Sequence, residues 1–391
     1  MFADGATERL KTPARAMVAG RADFDGLEAE WRGLAATAVE PNAFYSPSLL
    51  IPAIDAFPGE KPELVIVRDD AGRLIGLAPL ALLRGYSRLP VPYVATWMHK
   101  HCFFAAPLVR AGAEQAFFSA LFDFAAGRGT FLRLRHLDAD GPLRRAAEAV
   151  AARTGRLISP SARYERAMLP GPWATDDYLK LSLRGKHRKD LRRRRARLEE
   201  TGAVLFEALG DDGDLDAWTD EFLALEAAGW KGAAGTALSQ EAASAQFFRD
   251  AVRRAHKAGE LQFFRFRLDG RTIAAAVNFR AGEASFAFKI AYDESFARYS
   301  PGVMIEIEIM QALEPAGLAM IDSCAKVEHP MINRLWRERR QIEALNVSRR
   351  DLPAKALFGL LMTLERASER ARAAKAGAGE AQTEAETDDD L

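Results

Sequence analysis

The chain has 391 residues, 49% apolar and 28% charged, and its 54 Lys or Arg are balanced by 54 Asp or Glu. That length supports two domains with a core each, and zero net charge excludes a protein that coats nucleic acid through a global positive field. Cys102 and Cys324 stand far apart, so neither a disulfide framework nor a cysteine zinc site is expected. Residues 1–20 lack an apolar signal core, and nowhere do about 18 uncharged apolar residues run together. A cytoplasmic protein in a reducing compartment is expected.

In chain order, residues 1–16 read as a tail. Glu63–Arg68 and Leu74–Leu83, joined through Asp70-Ala71-Gly72, read as a hairpin. A loop carrying His99, His101 and Cys102 follows, then a helix over 113–126, a strand over 131–137, a helix over 142–153 and a strand over 162–168. The run Lys180–Arg197 holds ten Lys or Arg against one acid. Its leucines, Leu183, Leu191 and Leu198, form one narrow stripe, and Arg188, Arg192 and Arg195 are expected on the face opposite. Helices are predicted over 215–228 and 240–257. Strands at 261–268, 271–280 and 284–291 make a meander, since Asp269-Gly270 is a strong hairpin signal. A helix over 301–313, a strand over 318–323, a short helix over 331–337 and a strand over 341–347 close the second stretch. The leucines near 357–364 lie on one helical side, and the acidic end, 366–391, reads as disordered.

The pattern predicts an α+β fold in two units, 17–170 and 171–365, each a mixed, mostly antiparallel sheet flanked by helices. A meander followed by helix, strand, helix and strand is the element order of the GNAT acyltransferases. In LSLRGKHRKDLRRRRARLEETG (181–202), LEAAGWKGAAGTAL (225–238), FKIAYDESFARYSPGVM (288–304) and IDSCAKVEHPMINRLWRERR (321–340) the chain resembles the GNAT acetyltransferases of the cellulose-biosynthesis (CelD/BcsL) type, which carry two such units in tandem as the FemAB aminoacyl transferases do.

The resemblance implies an acyl-CoA-dependent N-acyltransferase, moving an acyl rather than an aminoacyl group, with a degenerate first unit and a catalytic second one. The donor would lie against Lys289 and Tyr292 on the third meander strand, and its phosphates on Arg298, Tyr299, Ser300, Gly302 and Val303. There a helix N-terminus favours anions and the loop is expected at the surface. A strand N–H beside the thioester could stabilise the oxyanion.

For the base that deprotonates the amine, His329 oriented by Asp322 is the first candidate and Glu226 the second; the plain reading of these is a surface histidine and a turn-capping aspartate. Trp230 and Lys231 either line the acceptor side or follow a helix C-cap at Gly229. His99 and His101 are assigned to the acceptor side as well, and no metal is expected. By analogy the acceptor is an amine on a small molecule, glycan or lipid of the cell envelope. The run Lys180–Arg197 could meet an anionic membrane at its inner face, with tRNA less favoured for want of aromatic residues. Two rivals stand beside this reading: a FemAB-like aminoacyl-tRNA-dependent transferase, and a non-catalytic adaptor of an envelope-polymer machine.

Overall fold

The computed structural model describes residues 14–370 except 60, 87, 88 and 369. Of the expected tails, 1–13 and 371–391 lie outside the described residues, and Arg15 already begins a strand. The strands are β1 (Arg15–Ala19), β2 (Glu63–Arg68), β3 (Leu74–Leu83), β4 (Tyr93–Thr96), β5 (Leu108–Val109), β6 (Phe131–Asp138), β7 (Ile158–Pro170), β8 (Val204–Ala208), β9 (Leu261–Leu268), β10 (Arg271–Ala281), β11 (Ala284–Tyr292), β12 (Met320–Asp322) and β13 (Glu338–Ser348). The helices of the first half are α1 (Phe24–Ala36), α2 (Pro47–Ala56), α3 (Glu114–Ala126) and α4 (Pro142–Arg153). In the second half come α5 (Thr175–Ser182), α6 (Gly185–Glu199), α7 (Leu215–Ala228), α8 (Trp230–Ala233), α9 (Ala242–Lys257), α10 (Pro301–Leu313) and α11 (Ile332–Leu335), and 352–368 is also helical.

The two units do not keep separate sheets. One sheet runs β1-β2-β3-β4-β6-β13-β7-β12-β11-β10-β9-β8, with β5 beside β3. The strand that closes the second unit in sequence, β13, lies between β6 and β7 of the first, and β7 pairs with β12 of the second. Each unit therefore completes its sheet with the other's last strand.

The second meander shows how the residues choose their faces. Asp269 and Gly270 both take positive φ, the backbone a tight two-residue hairpin needs. Along β10, Ala275, Val277 and Phe279 enter one core while Ala274 and Ala276 enter the other, the period-two alternation of a strand buried on both faces. The first of these cores unites α1–α4, α7 and α9 through aromatic contacts such as Phe44 with Phe286 and Phe103 with Phe288. The second packs α5, α6 and α10 on the opposite face.

The basic run is two helices rather than one. The chain is extended at Leu183, so Lys180 lies in the last turn of α5 and the remaining cations lie on or next to α6. Arg188, Arg192 and Arg195 line the same groove as Leu191, not the opposite face, because α6 leans that side against α10.

Glu306 on α10 is 6% exposed and makes no hydrogen bond or ion pair among the described residues. Burial pushes its carboxyl up to about 7 from an ordinary 4.5. The unfolded chain ionises near the ordinary value, so the stability that goes with a neutral carboxyl is complete below that value and is lost as pH rises to about 7. Glu306→Gln should therefore be more stable than wild type by about 3 kcal/mol at about pH 8 and nearly equal at about pH 4, read from urea unfolding. A gap independent of pH would show that ionisation is not its cause.

Candidate active site

Parallel pairing of β11 with β12 covers three residues, Ala284 to Phe286 against Met320 to Asp322. β11 then continues to Tyr292 while the other chain leaves as the loop 323–331, and the divergence opens a cleft of about 680 Å³. Leu225, Glu226, Trp230 and Lys231 form one wall, Ile290 to Tyr292 the floor, and Lys326 to Met331 the other wall.

The floor is a strand edge. Asp293 N–H bonds Ile273 O across to β10, and since the N–H and C=O of one residue share an edge in an antiparallel ladder, alternation turns those of Tyr292 and Ile290 away from β10. The Ile290 carbonyl accordingly accepts from Lys231 Nζ at 2.7 Å. Its N–H lies on the same edge, as a donor toward the cleft.

α7 stops at Ala228 and restarts at Trp230, fastened by Trp230 N–H donating to Glu294 Oε1 at 2.6 Å. A Cβ at Gly232 would stand 1.8 Å from Ala227 O, so this fold-back requires glycine there. The break leaves Trp230 57% exposed at the mouth and points Lys231 inward.

Glu226 is buried, and both of its oxygens are engaged. Oε1 faces Lys231 Nζ at 3.4 Å and Lys289 Nζ at 3.3 Å, and Oε2 accepts from Leu238 N–H at 2.8 Å. It holds two ammonium groups at the cleft, a different task from that of a base. Burial pulls Lys231 down from its ordinary value; Glu226 opposes this and Lys289 adds to it.

His329 lines the opposite wall. Its Nδ1 accepts from Ile332 N–H at 3.3 Å, which sets the neutral ring's proton on Nε2. Burial first, and Lys231 second, hold the imidazole below 6.5, so it is neutral at physiological pH.

Asp322 does not orient it. Asp322 lies in the seam between the units, fully buried, bonded to Arg166 at 3.2 Å, Arg340 at 2.9 Å and Cys324 N–H at 2.8 Å. Burial alone would raise its carboxyl, but the two guanidiniums hold it below the usual range. His99 and His101 lie outside the cleft walls, in a buried aromatic cluster with Phe57, Phe247 and Phe288, and His101 Nε2 meets Ser244 Oγ at 2.8 Å. Among the described residues no group of three or more His, Cys, Asp or Glu could hold a metal ion.

The helix start at Ser300 is less open than its sequence suggests. Ser300 is left-handed, with φ 58°, and the N–H groups of Val303 and Met304 both bond to its carbonyl. Pro301 has no N–H, which leaves that of Gly302 as the free first-turn donor. Gly302 is buried rather than at the surface, and a Cβ there would come within 3.3 Å of Met331 Sδ on the cleft wall and Tyr292 Cδ1 on its floor. Arg194 of α6 donates to Ser300 Oγ at 2.8 Å and so brings a cation to this helix start. Tyr299 is buried and Arg298 exposed beside it. The role of Arg194 is hidden in sequence within a run of four arginines, and that of Ile290 rests on its backbone; neither leaves a side-chain signal.

Residues 185–329 match the family model of an acetyltransferase (GNAT) domain. The matched segment runs from α6 to His329 of the cleft loop, so the match falls on the unit that holds the cleft. The fold of the whole chain is similar to that of FemX, at 12% identity and a TM-score of 0.58 over 89% of this chain and 100% of that one. A conserved protein of unknown function from Bacteroides thetaiotaomicron is similar at 13% identity and a TM-score of 0.54, covering 85% and 99%. The C-terminal DUF2156 domain of a protein proposed to be a lysylphosphatidylglycerol synthetase, from Agrobacterium fabrum, is similar at 13% and 0.55, covering 87% and 96%. No curated protein matches the chain. The GNAT domain match therefore covers the second unit, and the fold likeness extends over both.

Proposed function

We propose that the chain is an N-acyltransferase that moves an acyl group from the thioester of acyl-CoA to an amine, with the chemistry in the cleft of the second unit. The observation that carries this is the divergence of β11 from β12, which presents the Ile290 N–H edge between Lys231 and His329. The thioester carbonyl would lie against that N–H, which stabilises the oxyanion as the amine adds. His329 takes the proton the amine loses, the C–S bond breaks, and the CoA thiolate leaves and is protonated from water. Glu226, Lys231 and Lys289 give the floor a positive potential that suits an anionic portion of either substrate. Gly302 N–H and Arg194 are the groups that would meet the donor's phosphates. The acceptor is assigned only as an amine, with the cell-envelope class resting on analogy.

The FemAB-like alternative has the fold likeness to FemX on its side. Calorimetry and thiol-release assays with acetyl-CoA and long-chain acyl-CoA, beside an aminoacyl-tRNA, decide between them. Saturable CoA binding with thiol release in the presence of amines is the expected result. Binding of aminoacyl-tRNA without any response to CoA would overturn the proposal in favour of the rival, and no response to either would leave the non-catalytic adaptor.

A further inference from the structure

We propose that a second site, a groove on the outer face of α10 and separate from the cleft, takes the head of an anionic phospholipid at a membrane surface. Phosphate would rest on its basic rim and the first methylenes of one chain on its apolar floor. The groove is about 370 Å³ and lies between α5, α6 and α10. Its floor is Leu183, Leu191, Met304 and Ile307, and its rim carries four cations, Lys180, Arg188, Arg192 and Arg195, against two carboxylates, Asp176 and Glu308.

The rim cations differ in how they are committed. Arg195 is held by Glu199 and Glu308, and Arg188 donates to the carbonyls of Lys180 and Leu183 at the end of α5. Lys180 pairs only with Asp177, which is solvent-exposed, an arrangement worth little in water. Arg192 has no ion pair among the described residues, and neither have Lys186, Lys189 and Arg197 along the exposed side of α6. A cation at the groove is therefore free to meet an anion, and its neighbours add long-range attraction to a negatively charged surface. Leu181, next in the chain to the rim's Lys180, is 70% exposed, an apolar group that enters a lipid interface at no cost in buried contacts.

The chemistry of the floor selects lipid over RNA. Single-stranded nucleic acid is held by bases stacked on aromatic rings, and no aromatic residue lines the groove. Aliphatic side chains below a rim of net positive charge match an amphiphile whose charge and methylenes are adjacent. The site stands independently of the acyl-transfer reading, since none of its floor or rim residues lines the cleft.

Co-sedimentation of the full chain with vesicles of phosphatidylcholine, and of phosphatidylcholine with phosphatidylglycerol, tests this. Wild type should bind the anionic vesicles at low salt and not the neutral ones. Arg192→Gln should weaken binding about fivefold. Ile307→Trp, which fills the floor without changing charge, should weaken it at least as much, with Ile307→Gln as the second variant should the tryptophan lower the melting temperature. The proposal is overturned if wild type ignores anionic vesicles. It is overturned equally if both Ile307 variants bind as wild type does, since charge alone would then suffice, or if tRNA at the same salt displaces the vesicles.

Discussion

Asp322→Asn should destabilise the protein by about 3 to 5 kcal/mol, the range found when one partner of a buried ion pair is removed. The carboxylate is 0% exposed, and its partners Arg166 and Arg340 are 2% and 6% exposed. Without it, Arg166 retains the Phe103 carbonyl and the Tyr164 hydroxyl, and Arg340 retains Asp138 at 2.8 Å. Arg340 would then keep one carboxylate and the buried Arg166 guanidinium would have none in contact. Because Asp322 sits where β12 pairs with both β7 and β11, the loss should appear in the urea midpoint of the whole sheet. The pH dependence supplies a second readout. Its folded carboxyl lies below the usual value, so its contribution is present above the unfolded value near 3.8 and is lost as pH falls through the lower folded one. Wild type should lose its advantage over the variant in acid. A variant as stable as wild type but catalytically dead would return Asp322 to the role of orienting a base.

The two outcomes for Asp322 and His329 show what local sequence can carry. A lone acid in an apolar strand fits a catalytic base and a counter-ion alike; Arg166, 156 residues upstream, decides between them and only the folded sheet brings it there. The same holds for Glu226, whose partners Lys231 and Lys289 come from a helix break and from a strand. By contrast β2, β3, β9, β10 and β11 are readable almost to the residue, because alternation and turn residues are local signals. The α1 helix was not among the expected elements, although Phe24, Leu27, Trp31 and Leu34, all of them buried, stand at helical spacing. Nor was α2: it contains Pro52 and is buried nearly all round, so it has no polar face to give a period. The exchange of β7 and β13 between units has no local trace, since Ser159 pairs with Asn346 across more than half the chain's described length. The cleft itself is different again. Its lining comes from three separate stretches, which no local pattern joins; the GNAT resemblance placed Tyr292 and His329 at a substrate site, and the sequence left Trp230 and Lys231 between the acceptor side and a helix C-cap.

His329→Ala should lower acyl transfer about 10²- to 10⁴-fold, the usual worth of a positioned general base, while leaving binding of acyl-CoA intact. Burial and Lys231 favour the neutral imidazole, and Nδ1 is engaged only by a 3.3 Å bond from Ile332 N–H, long for a hydrogen bond of this kind. That lone pair is the one Ile332 N–H occupies, so His329 accepts the amine's proton only as this long bond is given up and the ring turns Nδ1 to the cleft. Protonation before the substrate arrives removes the base, so kcat/KM should fall as pH drops through a value below 6.5, and that limb should be missing from the variant. His329→Gln, which keeps a polar side chain on the cleft wall, should lose the same limb and so separates proton transfer from packing. Turnover near the wild-type rate would move the proton transfer to water or to Lys231, which acts as a base only when neutral, so activity would then rise with pH through its depressed value.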